Sequence, residues 1–276
     1  MRTLVHLSDL HFGRVDPQVL SPLLVAVTAA RPDLVVVSGD FTQRARGREF
    51  RDAARFLAQL PQPQLLVPGN HDVPLYNVMR RWLTPLHRYR RYITDDLAPF
   101  YADAELAVLG INTARALTLK NGRINAAQIA FMTGRFAACG PDVTRIVVTH
   151  HPFDTPDLPP GTRPVHSVVG RAELAVAGLL EAHVGMILSG HLHLSRIGQT
   201  AQRYPVDGRS ALLIQAGTAT STRQRGDANA FNIVRIARPS VDVDRMVWDA
   251  ERMAFCHAGV ERFVESEAGW DRLLAP

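Results

Sequence analysis

The sequence predicts an α/β fold, in which a largely parallel β-sheet is covered by helices and a second sheet packs on the first. Over roughly the first 70 residues, short apolar runs rich in β-branched residues alternate with helical segments, which is the order of right-handed βαβ crossovers. The same order returns between residues 125 and 190. The last third instead carries strand-like runs with no long helix between them, which indicates antiparallel hairpins that form the second sheet.

The first elements are fixed by turn and capping residues. Ser21 and Pro22 predict the N-cap and first position of a helix, which ends before Pro32. The run at 33–39 is too short for a helix and is interpreted as a buried strand. The predicted elements of this part are strand 3–8, helix 21–31, strand 33–39, helix 47–60 and strand 64–69.

The later elements follow the same reasoning. Asn125 is a good N-cap for a helix at 126–138, and the apolar runs that follow alternate in length between strand and helix. The predicted elements are strand 145–150, helix 172–183, strand 184–190 and the three strands 211–217, 231–237 and 241–248.

Composition predicts one cytoplasmic domain spanning residues 1–276. The chain is 46% hydrophobic and has no linker-like or repetitive segment. Cys139 and Cys256 lie far apart and form no C-x-x-C, as expected for free thiols in a reducing compartment. No stretch approaches the roughly 20 apolar residues of a membrane span. The net charge is +5, but Lys120 is the only lysine. This arginine skew is typical of a codon bias, so the charge is weak evidence for nucleic-acid binding.

Chemically active side chains follow five of the predicted strands. Because ligands bind at the carboxyl ends of strands in open α/β sheets, we expect these side chains to converge on one edge of one sheet. A single Asp, Asn or His at such a place is usually structural, but five consecutive occurrences indicate a site. The segments are Asp9-Leu10-His11, Gly39-Asp40, Gly69-Asn70-His71-Asp72, His150-His151 and Gly190-His191-Leu192-His193.

The residue types favour a pair of metal ions. Oxygen and imidazole ligands without thiolates suit Mn, Fe, Co, Ni or Zn and disfavour a structural zinc site. Seven candidate ligands among these side chains exceed the needs of one ion, whereas two ions sharing a carboxylate would each have about four protein ligands and open positions for water and substrate. The seven are Asp9, His11, Asp40, Asn70, His150, His191 and His193. The glycines before Asp40, Asn70 and His191 would let the backbone turn sharply beside the site.

In this order the motifs D-x-H, G-D, G-N-H-D, H and G-H-x-H resemble those of the calcineurin-like metallophosphoesterases, and all five are intact across residues 9–193. The resemblance implies a four-layer α-β-β-α sandwich of two mixed β-sheets flanked by helices. It implies two divalent or mixed-valence ions, of Mn, Fe, Zn or Co. The first would be held by Asp9, His11, Asp40 and His193, and the second by Asp40, Asn70, His150 and His191.

The same resemblance assigns roles around the ions. A hydroxide that bridges them would be the nucleophile, and their charge would attract a small anionic phosphoester. His71 would stabilise or protonate the leaving oxygen, with Asp72 orienting it. His151 would support the site from behind the ligands, and Arg14 is a candidate for the rim.

Residues 74–101 are the least generic part of the chain and follow G-N-H-D directly, so they should overhang the site as a helical insertion. Pro85 must interrupt or restart the helix. The segment is interpreted either as a lid that holds an anionic substrate, or as an ordinary helical hairpin or a homodimer contact. The candidate substrate contacts are Tyr76, Arg80, His87, Arg91 and, from the polar segment 216–226, Arg223.

The length and the G-N-H-D motif most resemble bacterial class III cyclic-nucleotide phosphodiesterases and glycerophosphodiester-hydrolysing relatives. The prediction is therefore a phosphodiesterase acting on a cyclic nucleotide or another small phosphodiester. Alternatives are a phosphomonoesterase, a nucleotide-sugar or lipid pyrophosphohydrolase, or a nuclease of the same superfamily. A binding scaffold without catalysis is the alternative of another class, which the complete set of ligands disfavours.

Overall fold

A computed structural model describes residues 1–116, 121–154, 168–206, 209–222, 227–267 and 269–273. Six α-helices are assigned in these ranges: α1 Pro17–Ala29, α2 Gly47–Leu57, α3 Val78–Leu83, α4 His87–Tyr92, α5 Ala126–Ala137 and α6 Ala172–Glu181. The strands of the first half are β1 Arg2–Leu7, β2 Leu34–Val37, β3 Gln64–Leu66, β4 Phe100–Ala102, β5 Leu106–Gly110 and β6 Thr144–Val148. Those of the second half are β7 Val184–Ser189, β8 Arg196–Gln199, β9 Leu212–Gln215, β10 Ala230–Ala237, β11 Ser240–Asp249, β12 Ala254–Ser266 and β13 Gly269–Leu273.

The strands form two mixed sheets, one of seven strands in the order β13-β12-β11-β10-β1-β2-β3 and one of six in the order β4-β5-β6-β7-β9-β8. The predicted division of the chain between the sheets was wrong. β10–β13 extend the sheet of β1–β3 through antiparallel pairing with β1, while β9 pairs parallel with β7 in the other sheet. Local apolar patterns predict strands but not their partners, because pairing is decided by long-range packing.

Successive side chains along each strand point to opposite faces of its sheet, so one set packs between the two sheets and the other packs against the helices. Leu4 and Val36 face the core between the two sheets, where they meet Ile146 and Leu188 of the six-stranded sheet. Their neighbours in sequence face the helices on the outside: Val5 and Val37 with α1 and α2 on one side, and Val147 and Ile187 with α5 and α6 on the other. The four-layer α-β-β-α sandwich is therefore confirmed.

The start of α1 differs from the prediction. The helix begins at Pro17, because the Asp16 side chain caps it by accepting a hydrogen bond from the Gln18 N–H at 3.0 Å. Pro22 consequently lies inside the helix rather than at its start. The predicted capping of α5 by Asn125 is confirmed, with the side chain accepting from the Gln128 N–H at 2.8 Å.

The segment 74–101 contains two short helices rather than one. α3 ends at Leu83 and α4 begins at His87, with Pro85 between them as the sequence predicts. The segment finishes in β4, which joins the edge of the six-stranded sheet through β5. Within the described ranges, no helix has the length and apolar character that crossing a membrane would require.

Candidate metal centre

The candidate ligands lie at the carboxyl ends of strands from both sheets. β1, β2 and β3 of the seven-stranded sheet and β6 and β7 of the six-stranded sheet are each followed directly by one of the five segments. The expectation of a single sheet edge was therefore wrong. The convergence itself is present, because the two sheets pack face to face and their parallel strands end at the same side of the sandwich.

One group of ligand atoms surrounds the Asp9 carboxylate. The Nε2 atoms of His193 and His11 lie 3.2 Å and 3.5 Å from Asp9 Oδ1. These two nitrogens are 3.1 Å from one another. The three side chains are buried, and their ligand atoms are close enough to share one metal ion.

A second group surrounds His150. Its Nε2 lies 3.1 Å from Asn70 Oδ1 and 3.3 Å from His191 Nδ1. Its Nδ1 contacts the Ser38 carbonyl at 2.8 Å. Because a carbonyl oxygen only accepts, Nδ1 carries a proton in this contact, which leaves Nε2, beside Asn70 and His191, as the nitrogen that can bind a metal ion. The Ser38 contact therefore orients the ring as a metal-binding imidazole requires.

Asp40 lies between the two groups. Its Oδ2 is 3.7 Å from His11 Nε2, and its Oδ1 is 3.4 Å from His150 Nε2. Burial would raise the pKa of Asp40, but the neighbouring His150 and His71 outweigh burial and hold that pKa well below its usual range. The pKa of His150 shows the reverse balance: burial would lower it, yet Asp40 raises it to about 9. The site thus holds anionic carboxylates that attract positive charge.

The donor set fits a pair of divalent cations. Asp9 Oδ1 is a buried carboxylate oxygen that accepts no hydrogen bond from the described residues, although two imidazole nitrogens lie 3.2 Å and 3.5 Å away. Such an atom is costly unless a cation satisfies it. The His11 and His193 nitrogens approach one another beside that oxygen, as ligands of a shared ion do. Oxygen and imidazole donors without thiolates are a ligand set that divalent metal ions accept.

Backbone strain is concentrated at the same residues. Five of the seven candidate ligands have positive φ angles between 48° and 72°, a region that residues other than glycine seldom occupy. The five are Asp9, His11, Asp40, His191 and His193. Strain of this kind persists only where the surrounding structure enforces it, so its coincidence with the ligand residues supports a functional site.

Two glycines allow the loops to come this close. A Cβ atom at Gly69 would overlap the backbone and carboxylate of Asp40, and one at Gly190 would overlap the side chains of Ser8 and Asp9. The close backbone approach expected at these positions is present. At both positions a side chain would push one ligand loop away from another.

Gly69→Ala is expected to lower the free energy of unfolding by about 1–3 kcal/mol, the range for overpacking a tight site, and to weaken metal binding. Gly134→Ala is the matched control, because a Cβ at Gly134 of α5 meets no atom within 4 Å. That change should raise stability by up to about 1 kcal/mol through helix propensity. Urea denaturation and metal analysis of both variants check the prediction. Equal effects at the two positions would contradict it.

His71 lies beside the ligands. Its backbone N–H donates to Asp40 Oδ1 at 2.8 Å, and its ring lies edge-on to the His11 ring at 4.9 Å between centroids. Its Nδ1 contacts the Gln43 carbonyl at 2.9 Å, so this nitrogen carries a proton. The role of Gln43 could not be predicted from the sequence, because it contacts His71 through its backbone carbonyl and any residue type could provide that atom.

Asp72 is fully buried and organises the loop that carries His71. Its carboxylate accepts hydrogen bonds from the backbone N–H groups of Gly69, Phe41 and Thr42, and from the Thr42 hydroxyl. Thr42 Oγ1 also lies 3.2 Å from the His71 carbonyl. Burial, followed by the nearby Asp40 charge, raises the pKa of Asp72 to about 7. These contacts act on the backbone around His71, while the Gln43 carbonyl contacts its ring.

His151 is buried next to His150 and His191, and its imidazole lies within the distance at which all three could hold one metal ion. Its Nδ1 is 2.7 Å from the Thr113 hydroxyl, and its ring is 4.7 Å from the His191 ring. Ser8 has a comparable supporting position, because its hydroxyl donates to Asp9 Oδ2 at 2.7 Å. Ser8 and Thr113 were missed from the sequence, where a lone hydroxyl residue is too common to be informative.

The candidate substrate contacts do not share one location. Arg80, His87 and Arg91 line one cavity of about 540 Å³, which the segment 74–101 forms together with Gly47 and Arg51 of α2. Tyr76 is outside that group and packs under the Arg44 guanidinium, 5.4 Å from the ring centroid. Arg14 is exposed just after His11, whose carbonyl accepts from the Arg14 N–H at 2.8 Å. Arg223 lies outside the described residues.

Known proteins resemble this chain in sequence or in fold. The chain is 28% identical over 212 residues to glycerophosphodiester phosphodiesterase GpdQ of Enterobacter lignolyticus (strain SCF1), covering 69% of this chain and 70% of that protein. It is 25% identical over 166 residues to 3′,5′-cyclic adenosine monophosphate phosphodiesterase CpdA of Escherichia coli (strain K12), covering 58% of this chain and 54% of that protein. The structure of purple acid phosphatase PPD1 from yellow lupin matches 89% of this chain and 51% of its own, with a TM-score of 0.66 and 11% identity.

The fold likeness to the lupin enzyme supports the architecture alone, since the identity is low. The family evidence comes from the sequence, where the profile of the calcineurin-like phosphoesterases matches residues 2–195. That range contains all five strand-end segments and every candidate ligand described above. The chain belongs to the calcineurin-like phosphoesterase family.

Proposed function

We propose that this protein is a metal-dependent phosphodiesterase that hydrolyses a small phosphodiester at a two-ion centre. One observation carries the proposal: two groups of ligand atoms, around Asp9 and around His150, meet at the single carboxylate of Asp40. A site for one metal ion would need only one of these groups of ligand atoms and no carboxylate between two of them. His71, directly beside Asp40, adds a group suited to proton transfer.

The proposed ligands follow from this arrangement. Asp9, His11 and His193 would hold one ion and Asn70, His150 and His191 the other, with Asp40 shared between them. Two divalent ions would bring more positive charge than Asp9 and Asp40 neutralise, and would lower the pKa of bound water. The residues provide the rest: the Ser38 carbonyl orients the His150 ring for metal binding, and the strained loops keep the ligand atoms in place before substrate arrives.

His71 is the proposed general acid. The Gln43 carbonyl holds its Nδ1 proton and fixes the ring, which leaves Nε2 as the nitrogen assigned to the leaving oxygen. In the protonated ring both nitrogens are donors, so Nε2 can pass its proton to that oxygen while the Nδ1 contact is kept. Asp72 contributes by fixing the loop on which His71 is carried.

A diester is favoured over a monoester by the names of the two relatives, one a glycerophosphodiester phosphodiesterase and the other a cyclic-nucleotide phosphodiesterase. We further propose that the whole chain acts as a single domain with the insertion at 74–101, and that its metals belong to the group Mn, Fe, Zn and Co. The substrate class expected from the site is a small anionic phosphoester.

A substrate panel tests the proposed function. Protein loaded with Mn²⁺ is given bis(p-nitrophenyl) phosphate, p-nitrophenyl phosphate, cyclic AMP and glycerophosphocholine, with and without EDTA. We expect metal-dependent hydrolysis of the diesters at a higher kcat/KM than the monoester. A clear preference for p-nitrophenyl phosphate would overturn the diester assignment. A protein that binds two ions and hydrolyses no ester would be a binding scaffold instead.

A further inference from the structure

The helix α3 buries an arginine and exposes its apolar face, which is the reverse of an ordinary surface helix. Its arginine Arg81 is only 6% exposed, while Val78, Met79, Trp82 and Leu83 are 61–72% exposed. The spacings 78/82 and 79/83 are both i, i+4, so these four apolar side chains share one face of the helix. A surface helix normally directs such a face toward the core.

The inverted orientation is held in place by the buried arginine. The guanidinium of Arg81 donates to the Ala116 carbonyl at 2.7 Å and to the Pro74 carbonyl at 3.0 Å. Rotating α3 to bury its apolar face would break both charge-assisted hydrogen bonds and bring Arg81 into the open. The apolar face is therefore a stable feature of the fold, and a contiguous exposed apolar face marks an interaction surface.

Positive charge adjoins this face. Arg80 of the same helix lines the 540 Å³ cavity together with Arg51, Arg88, Arg91 and His87. In the part of the chain that the structure describes, no carboxylate lines the cavity and none of its four arginines forms an ion pair. Four guanidinium groups around one opening make a strong site for anionic groups such as phosphates.

The combination selects one occupant. Exposed tryptophan, leucine and methionine beside clustered arginines are the features of a segment that lies in a membrane interface, with apolar side chains among the acyl chains and arginines on lipid phosphates. A second copy of the chain fits less well, because a two-fold contact through α3 would bring the arginine-lined cavities of both copies toward one another.

We propose that α3 and the adjoining arginine cavity dock this protein on the surface of an anionic lipid bilayer. Docking of this kind is peripheral and needs no membrane-spanning helix. The proposal does not depend on the proposed hydrolytic function, so it is tested with protein whose metal has been removed by EDTA and without any substrate.

The fluorescence of Trp82 can report membrane binding. Of the chain's three tryptophans, Trp82 is 61% exposed, whereas Trp248 and Trp270 are 9% and 6% exposed. Adding vesicles of phosphatidylglycerol should shift the tryptophan emission to shorter wavelength, and brominated acyl chains should quench it. Vesicles of phosphatidylcholine should have much less effect, and salt should weaken binding to phosphatidylglycerol. In Trp82→Phe the signal change should disappear.

Sedimentation with phosphatidylglycerol vesicles then separates the two contributions. Arg51→Gln combined with Arg80→Gln should reduce the partition coefficient by about 30-fold, as expected for two arginines at an anionic surface. Met79→Ser combined with Leu83→Ser should reduce it further. The matched controls are Arg262→Gln with Arg272→Gln on β12 and β13, at the opposite end of the seven-stranded sheet from β3, and Phe131→Ser on α5, where Phe131 is 49% exposed. Both controls should bind as the wild type does.

Three results would overturn the proposal. The first is no association with phosphatidylglycerol, or equal association with phosphatidylcholine. The second is a concentration-dependent dimer in lipid-free solution that loses its self-association in Met79→Ser/Leu83→Ser, which would assign the face to a second copy. The third is unchanged vesicle binding in the arginine variant together with a raised KM for a soluble phosphodiester, measured separately with the Mn²⁺-loaded variant, which would make the cavity part of a substrate lid.

Discussion

Asp40→Asn is expected to lose at least one metal ion and to reduce hydrolysis by more than the roughly 10- to 100-fold effect of changing a residue that merely supports a ligand. Asp40 offers one oxygen toward each group of ligand atoms, at 3.7 Å from His11 Nε2 and 3.4 Å from His150 Nε2. Asparagine keeps the shape but replaces one oxygen by an amide NH₂, which cannot ligate. Metal analysis of the purified variant, together with its turnover of bis(p-nitrophenyl) phosphate, measures both effects.

Asp52→Asn is the matched control for this substitution. Asp52 lies on α2 and forms surface ion pairs with Arg48 and Arg55. Removing its charge should leave metal content and turnover unchanged, since exposed ion pairs contribute little to stability. An Asp40→Asn protein with two tightly bound ions and wild-type turnover would remove Asp40 from the shared position.

His71→Ala is expected to keep both ions while kcat falls by about 10²–10⁴, the usual range for general acid–base catalysis. Neither group of ligand atoms needs the His71 ring, which is held by the Gln43 carbonyl. The loss should shrink for esters with acidic leaving groups such as p-nitrophenol, because a departing oxygen that is already stable needs little help from a proton. Turnover of a series of aryl and alkyl esters of increasing leaving-group pKa measures this trend.

His257→Ala provides the control, since His257 is exposed on β12 and pairs with Asp244 away from the ligand loops. It should match the wild type across the series. A His71→Ala loss that is independent of leaving-group pKa would assign His71 a positioning or electrostatic role. Loss of metal in the variant would instead place His71 among the ligands. The measurement is needed because the His71 ring is close enough to His11 and Asp40 to bind the same ion.

Several features could be predicted from sequence because each has a local cause. The Asn125 cap of α5, the break at Pro85 and the placement of polar segments directly after apolar strands depend on neighbouring residues only. The ligand segments also converge as expected, since parallel strands present their carboxyl ends on the same side.

Other features depend on distant parts of the chain and escaped prediction. β9 joins β7 in one sheet while β10 joins β1 in the other, although both strands have similar apolar patterns. Gln43 and Ser38 act through backbone carbonyls, which any residue could provide. The orientation of α3 could not be predicted from the sequence either. The spacing of its apolar residues is that of a helix that buries its apolar face, whereas the structure exposes that face.

The metal content of the purified protein tests the central claim most directly. The wild-type chain is stripped with EDTA, titrated with Mn²⁺ and analysed by calorimetry and elemental analysis for ions bound per chain. Two ions per chain are expected, because the ligand atoms around Asp9 and around His150 form two groups that share Asp40. Saturation at one ion, or no specific binding, would contradict the two-ion centre.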